Sequence, residues 1–178
     1  QIASGAHLTL LSAECAGATN WLGERLIWWP QGRPSGLQVG IVSSRLGQRL
    51  DTQADWFTVF RAACSKINRD RDVLLTAADT TPDRFVRRAA ELFAVRVISM
   101  ICPRRAEPIA AWFTRIRRIE TICDKAIHPA YLSPELSPLQ DHTTNADPFT
   151  DQPVRDRAVV SSAERLLVFH LRRGGHLE

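Results

Sequence analysis

Small, hydroxylic, glycine and arginine residues fall at three places where an apolar run stops. They are Ser43-Ser44-Arg45 after Leu37–Val42, Ala77-Ala78-Asp79-Thr80-Thr81 after Val73–Thr76, and Arg173-Gly174-Gly175 after Leu166–Leu171. Side chains this small leave backbone N–H groups free to approach a phosphate, and the strand-end edge of a parallel sheet is where ligands collect. Arg45 follows its strand directly and would serve either a phosphate or a surface ion pair. Asp79 has the chemistry to accept ribose hydroxyls or to solvate a turn. Thr80 and Thr81 read first as capping residues, with Thr81 as N-cap and Pro82 in the first helical position, and a capped helix start also attracts anions. Arg155 and Arg157 stand at a helix entry, where they oppose the helix dipole, and that cost favours a ligand role for them. Gly174-Gly175 has the makings of a phosphate loop or of a tight turn.

The elements that must position these groups follow from the apolar pattern. His7–Leu11 reads as a first strand, Ala18–Trp29 as a short helix, and residues 30–36 as a Pro/Gly-rich connection. Leu37–Val42 is a strand. Asp51–Ile67 is a helix whose Trp56, Val59, Phe60, Ala63 and Ile67 recur at spacings of three and four. Val73–Thr76 is the next strand, followed by a helix with Phe85, Ala89, Leu92 and Phe93 inward. Val95–Cys102 has the unbroken apolar character of a strand covered on both faces. Pro103 ends it, and Glu107–Cys123 is a helix with Ile109, Trp112, Phe113, Ile116 and Ile119 inward. Residues 128–153 hold Pro129, Pro134, Pro138, Pro148 and Pro153 and read as one long irregular loop. Val154–Glu164 is a helix and Arg165–Leu171 the last strand. Alternating strands and helices predict an α/β fold with a doubly wound, mostly parallel sheet and helices on both faces. A single domain over 1–178 is expected, with 1–36 as a strand/helix extension; a further helix would be due after Gly174-Gly175.

Bulk composition narrows the function classes. The chain has 178 residues, 44% hydrophobic and 24% charged, enough for one substantial core. No apolar run approaches the roughly 20 residues of a membrane span, and residues 5–13 lack the basic leader of a signal peptide. The net charge of +4 is mild. Lysine occurs only at Lys66 and Lys125, so arginine supplies nearly all the cations; arginine forks suit phosphate, and genomic base composition produces the same bias. Cys15, Cys64, Cys102 and Cys123 are too far apart for a metal motif and read as free thiols of a reducing cytoplasm. No metal site and no cofactor is called for. A P-loop and a Gly-x-Ser-x-Gly elbow are both absent, which disfavours P-loop ATP hydrolysis and α/β-hydrolase chemistry. His128, His142 and His176 have no partner at a telling spacing, His170 sits inside a strand as a packed or edge residue, and Trp28-Trp29 suits core packing better than an exposed platform.

From residue 37 onward the chain resembles the Rossmann-like nucleotide-binding superfamily of the LOG phosphoribohydrolases (often called lysine decarboxylase-like) and the bacterial DNA-processing protein DprA/Smf. Val39-Gly40-Ile41-Val42-Ser43-Ser44-Arg45 is similar to that group's strand and Gly-Ser-Arg turn, with Ser43 in the place of the glycine. Leu75–Ile98 resembles the following strand, small-residue turn and alanine-rich helix. Val154-Arg155-Asp156-Arg157 resembles the Arg-Asn-Arg helix entry of the DprA group, with Asp156 for asparagine. Gly174-Gly175-His176-Leu177-Glu178 is similar to a shortened LOG glycine loop without its proline and Gly-Thr pair. The resemblance implies a cytoplasmic protein that binds a nucleotide or phosphoribosyl ligand through Ser43, Ser44, Arg45, Asp79, Thr80, Thr81, Arg157, Gly174 and Gly175, as a sensor without turnover. Its first alternative is a nucleotide N-glycosidic bond hydrolase in which Arg155 and Glu178 are catalytic. Its second is a module for single-stranded DNA, using Arg104, Arg105, Arg115, Arg117 and Arg118, although Trp112 and Phe113 face inward where a base would need to stack. Related folds pair through helices, which suggests a homodimer, and no membrane partner is implied.

Overall fold

A computed structural model describes residues 18–44, 54–122, 127–136 and 153–174. Among these residues the chain is an α/β protein built on one seven-stranded, mostly parallel sheet. In chain order the elements are β1 (Ala18–Leu22), β2 (Arg25–Trp29), β3 (Leu37–Val42), α1 (Asp55–Cys64), β4 (Asp72–Ala77), α2 (Thr81–Phe93), β5 (Arg96–Ile101), α3 (Ile109–Ile122), β6 (Ile127–Leu132), α4 (Val154–Ser162) and β7 (Arg165–Val168). Across the sheet the order is β1-β2-β6-β5-β4-β3-β7. The pairs from β6 to β7 are parallel; the β1–β2 hairpin is added antiparallel on β6. The predicted strand at His7–Leu11 lies outside the described residues.

Alternation along the strands sorts the core into two faces. Val39 and Ile41 of β3, Leu74 of β4 and Val97 of β5 pack under α1 and α2, against Phe60, Cys64, Val86, Ala89 and Ala90. Farther along the same face, Ile101, Tyr131, Leu26 and Trp28 receive Trp112 and Ile116 of α3, and Trp28 stacks on Tyr131 with centroids 5.2 Å apart. The opposite face presents Val42, Leu75, Met100 and Ala130 to Ala158 and Val159 of α4. The chain thus steps from β3 to β6 in one direction with α1, α2 and α3 on one side. It returns over the other side through α4 to place β7 beyond β3. Crossovers of one hand require this change of face when the direction reverses.

The sequence expectations are corrected at several points. Ala18–Trp29 is no helix. Gly23, at φ 55°, opens a two-residue turn in which Leu22 pairs with Arg25, the place glycine takes in a type II′ hairpin. The run Leu26, Ile27, Trp28, Trp29 is buried throughout, because β2 is covered on both faces, and such a run has no period that separates strand from helix. The loop expected over 128–153 begins instead with β6. Pro129 argues against a strand, yet β2 pairs with β6 only at Tyr131 and Leu132, so the proline lies where the outer edge is open.

Helix details shift as well. α1 spans Asp55–Cys64, shorter than predicted, and Val59 is exposed. The N-cap of α2 is Thr80 rather than Thr81: its Oγ1 accepts from the Asp83 N–H (3.3 Å) and donates to the Ala77 carbonyl (2.7 Å). Leu92 and Phe93 point outward while Asp83, Val86, Ala89 and Ala90 are buried. Arg87 fixes that rotation, donating from Nε to Asp83 and from Nη2 to Ser99 of β5, both at 2.9 Å. The last strand ends at Val168. No helix among the described residues is long and apolar enough to cross a membrane.

Candidate functional site

The strand order reverses at β3, with β4, β5 and β6 on one side of it and β7 on the other. A cavity of about 570 Å³ opens there, lined by the segments after β3, β4 and β7 and by the start of α4. Its walls include Ser43, Ser44, Asp79, Thr80, Thr81, Arg155 and Gly174, so seven of the predicted site residues converge on one place. Arg157 is not among the lining residues. Arg45, Gly175 and Glu178 lie outside the described residues.

The roles of these groups differ. Ser44 is structural. Its N–H donates to the His170 carbonyl and its Oγ accepts from the Arg172 N–H, each at 2.9 Å, stitching the end of β3 to the segment after β7. The Ser43 Oγ is inaccessible to solvent and has no hydrogen-bond partner among the described residues. Thr80 uses its hydroxyl twice within its own turn, as a cap should. Asp79 is exposed and holds φ 60°, a left-handed conformation that aspartate tolerates better than most residues. The N-cap of α4, Pro153, makes no side-chain cap hydrogen bond, and its carbonyl accepts from the Asp156 and Arg157 N–H groups. Arg172 and Arg173 add cations that follow β7.

A second cleft of about 1020 Å³ continues past Asp79, Pro153 and Arg155 toward the end of β5. Its floor is held by Glu107, which accepts from Arg115 Nε (2.8 Å) and Nη2 (2.7 Å) and from the Arg104 N–H (3.0 Å). The Arg115 fork also reaches the Cys102 carbonyl at 3.0 Å. These hydrogen bonds, before any other influence, pull the Glu107 carboxyl below the usual carboxylate range and raise the Arg115 guanidinium further. Arg25 pairs with Glu135 on the hairpin side. Burial pushes the Cys102 thiol up to about 12, which disfavours its thiolate form. Cys64, also free, is pushed up to about 11 by burial. Cys15 and Cys123 lie outside the described residues. No three His, Cys, Asp or Glu side chains among those described are grouped to hold a metal.

Sequence reasoning did not find this second cleft. Arg25 lies in the segment expected to be a helix, and no local signal sets Glu107 apart from the rest of its own expected helix. Arg115 is instead committed to Glu107, and Trp112 is fully buried, which removes both from any strand-binding groove. Trp28 and Trp29 are core residues. Comparison with protein-family models, with curated proteins and with solved structures gives no match.

Proposed function

We propose that this chain is a Rossmann-like, doubly wound domain that binds a nucleotide or another phosphoribosyl-containing ligand at the C-terminal edge of its parallel strands, as a binding or sensing module of the LOG/DprA kind. The observation that carries the reading is the cavity at the point where the strand order reverses, lined by Ser43, Asp79, Arg155 and the uncapped start of α4. In open α/β sheets ligands occupy this crevice, and a helix start supplies amides and a positive field to a phosphate. Free thiols at Cys64 and Cys102 suit a reducing cytoplasm. The carboxylates of Asp79 and Asp156 line the same cavity as Arg155, which favours N-glycosidic hydrolysis as the second reading.

Thermal unfolding with AMP, ADP-ribose, NAD and a short single-stranded DNA tests the proposal. A ligand that binds only the folded state adds about 2.7 kcal/mol at a hundredfold excess over Kd. The expected result is a rise in Tm with a nucleotide that disappears in Arg155→Ala; release of free base from AMP would support the hydrolase reading. A response to DNA alone, or to none of the four, overturns the nucleotide site.

A further inference from the structure

The two cavities adjoin. Asp79, Pro153 and Arg155 belong to the walls of both. The first volume falls within the range of roughly 300–1,000 Å³ that one small-molecule site occupies and the second lies just above it, so a single nucleoside monophosphate occupies one and leaves the other empty. Each also carries its own cations: Arg172 and Arg173 follow β7, Arg104 and Arg105 follow β5. Among the described residues the side chains of these four, and of Arg155, enter no ion pair. In the order β5-β4-β3-β7 the two pairs stand three inter-strand spacings apart, roughly 14 Å. Asp79, at the end of β4, lies between them with its left-handed backbone.

Resting on the nucleotide reading above, we infer that the ligand spans both lobes and is a dinucleotide, two nucleosides joined through a pyrophosphate. The pyrophosphate lies at the junction, where Arg155 and the uncapped start of α4 face both lobes. The Asp79 carboxylate accepts hydroxyls from a flanking ribose. The outer arginines present guanidinium planes on which bases stack. A mononucleotide reaches one arginine pair; a dinucleotide reaches both.

Isothermal titration of the whole chain with AMP, ADP-ribose and diadenosine pyrophosphate tests this, in the wild type and in an Arg104→Ala/Arg105→Ala variant. Those arginines are exposed, so the variant is expected to fold, and its circular dichroism and Tm check that it does. The inference requires diadenosine pyrophosphate to bind at least tenfold more tightly than AMP, with ADP-ribose between them, and the variant to bring the ratio close to one. Equal affinities in the wild type, or a ratio the variant leaves intact, would overturn the two-lobed ligand while leaving a mononucleotide site. Failure of all three to bind would overturn the nucleotide reading as well.

Discussion

Glu107 and Asp83 are both carboxylates tied to an arginine, yet they respond to acid with opposite signs. At Glu107 the bidentate hydrogen bonds from Arg115 outweigh burial and the folded pKa is depressed. Its contribution to stability is therefore full above the unfolded carboxylate range, near pH 4.3, and is lost as the pH falls through the folded value. At Asp83 burial is the larger influence, and Arg87 only partly offsets it, so the folded pKa is raised; acid relieves the cost of burying its charge. Glu107→Gln should lower stability by roughly 2 kcal/mol at pH 7, the worth of hydrogen bonds to a charged partner, and the gap to wild type should close below about pH 4. For Asp83→Asn the wild type should gain on the variant as the pH falls. Melting curves of the three proteins from pH 3 to pH 8 read both signs; a Glu107→Gln gap independent of pH would show that the pair does not hold the β5–α3 connection.

At the scale of elements, the placement of the site depends on how closely α4 approaches β3. Gly40 makes that approach possible. A Cβ there would lie 2.7 Å from the Ala163 Cβ and 2.9 Å from the Leu166 Cδ2; the half-exposed leucine can rotate away, but the alanine contact is relieved only by moving the end of α4. Gly40→Ala should cost about 1–3 kcal/mol by overpacking, a fall in Tm of about 2–4 °C per kcal/mol for a chain of this size. It should also weaken the nucleotide binding proposed above, because Arg155 rides on α4; an unchanged Tm would show that the two elements are not packed as described. The elements around this contact were legible in the sequence, since β3, β4 and β5 are apolar runs bounded by turn residues, and α3 carries its Trp112 and Ile116 stripe in register. What escaped was decided by partners distant in sequence. Leu26–Trp29 forms a strand because β6 and two apolar layers surround it. Ile127–Leu132 is one despite Pro129 because its outer edge is only partly paired. α2 turns Leu92 and Phe93 outward because Arg87 is held by Ser99 of β5. The first cavity could be read from local turn chemistry, whereas the second depends on the hairpin and on Glu107–Arg115, which no single segment announces.

For the whole molecule, the sheet order that creates the crevice also creates an edge. Among the described residues β7 pairs with β3 alone, and its Leu166 and Val168 are 42% and 40% exposed. α4 lies over β3, β4 and β5, leaving these side chains on the same face without its cover. An edge strand with apolar side chains and unpaired backbone groups is a template for association, and natural sheets blunt such edges with lysine. Val168→Lys should therefore reduce concentration-dependent association, followed by analytical ultracentrifugation or light scattering, with a change in Tm close to zero because the residue is half-exposed in the folded chain. If β7 were instead the seat of a specific self-contact, the same substitution would convert a discrete dimer to monomer rather than remove a continuum of larger species. The sedimentation profile separates these outcomes, and a profile unaffected by the lysine would mean that the edge is already protected.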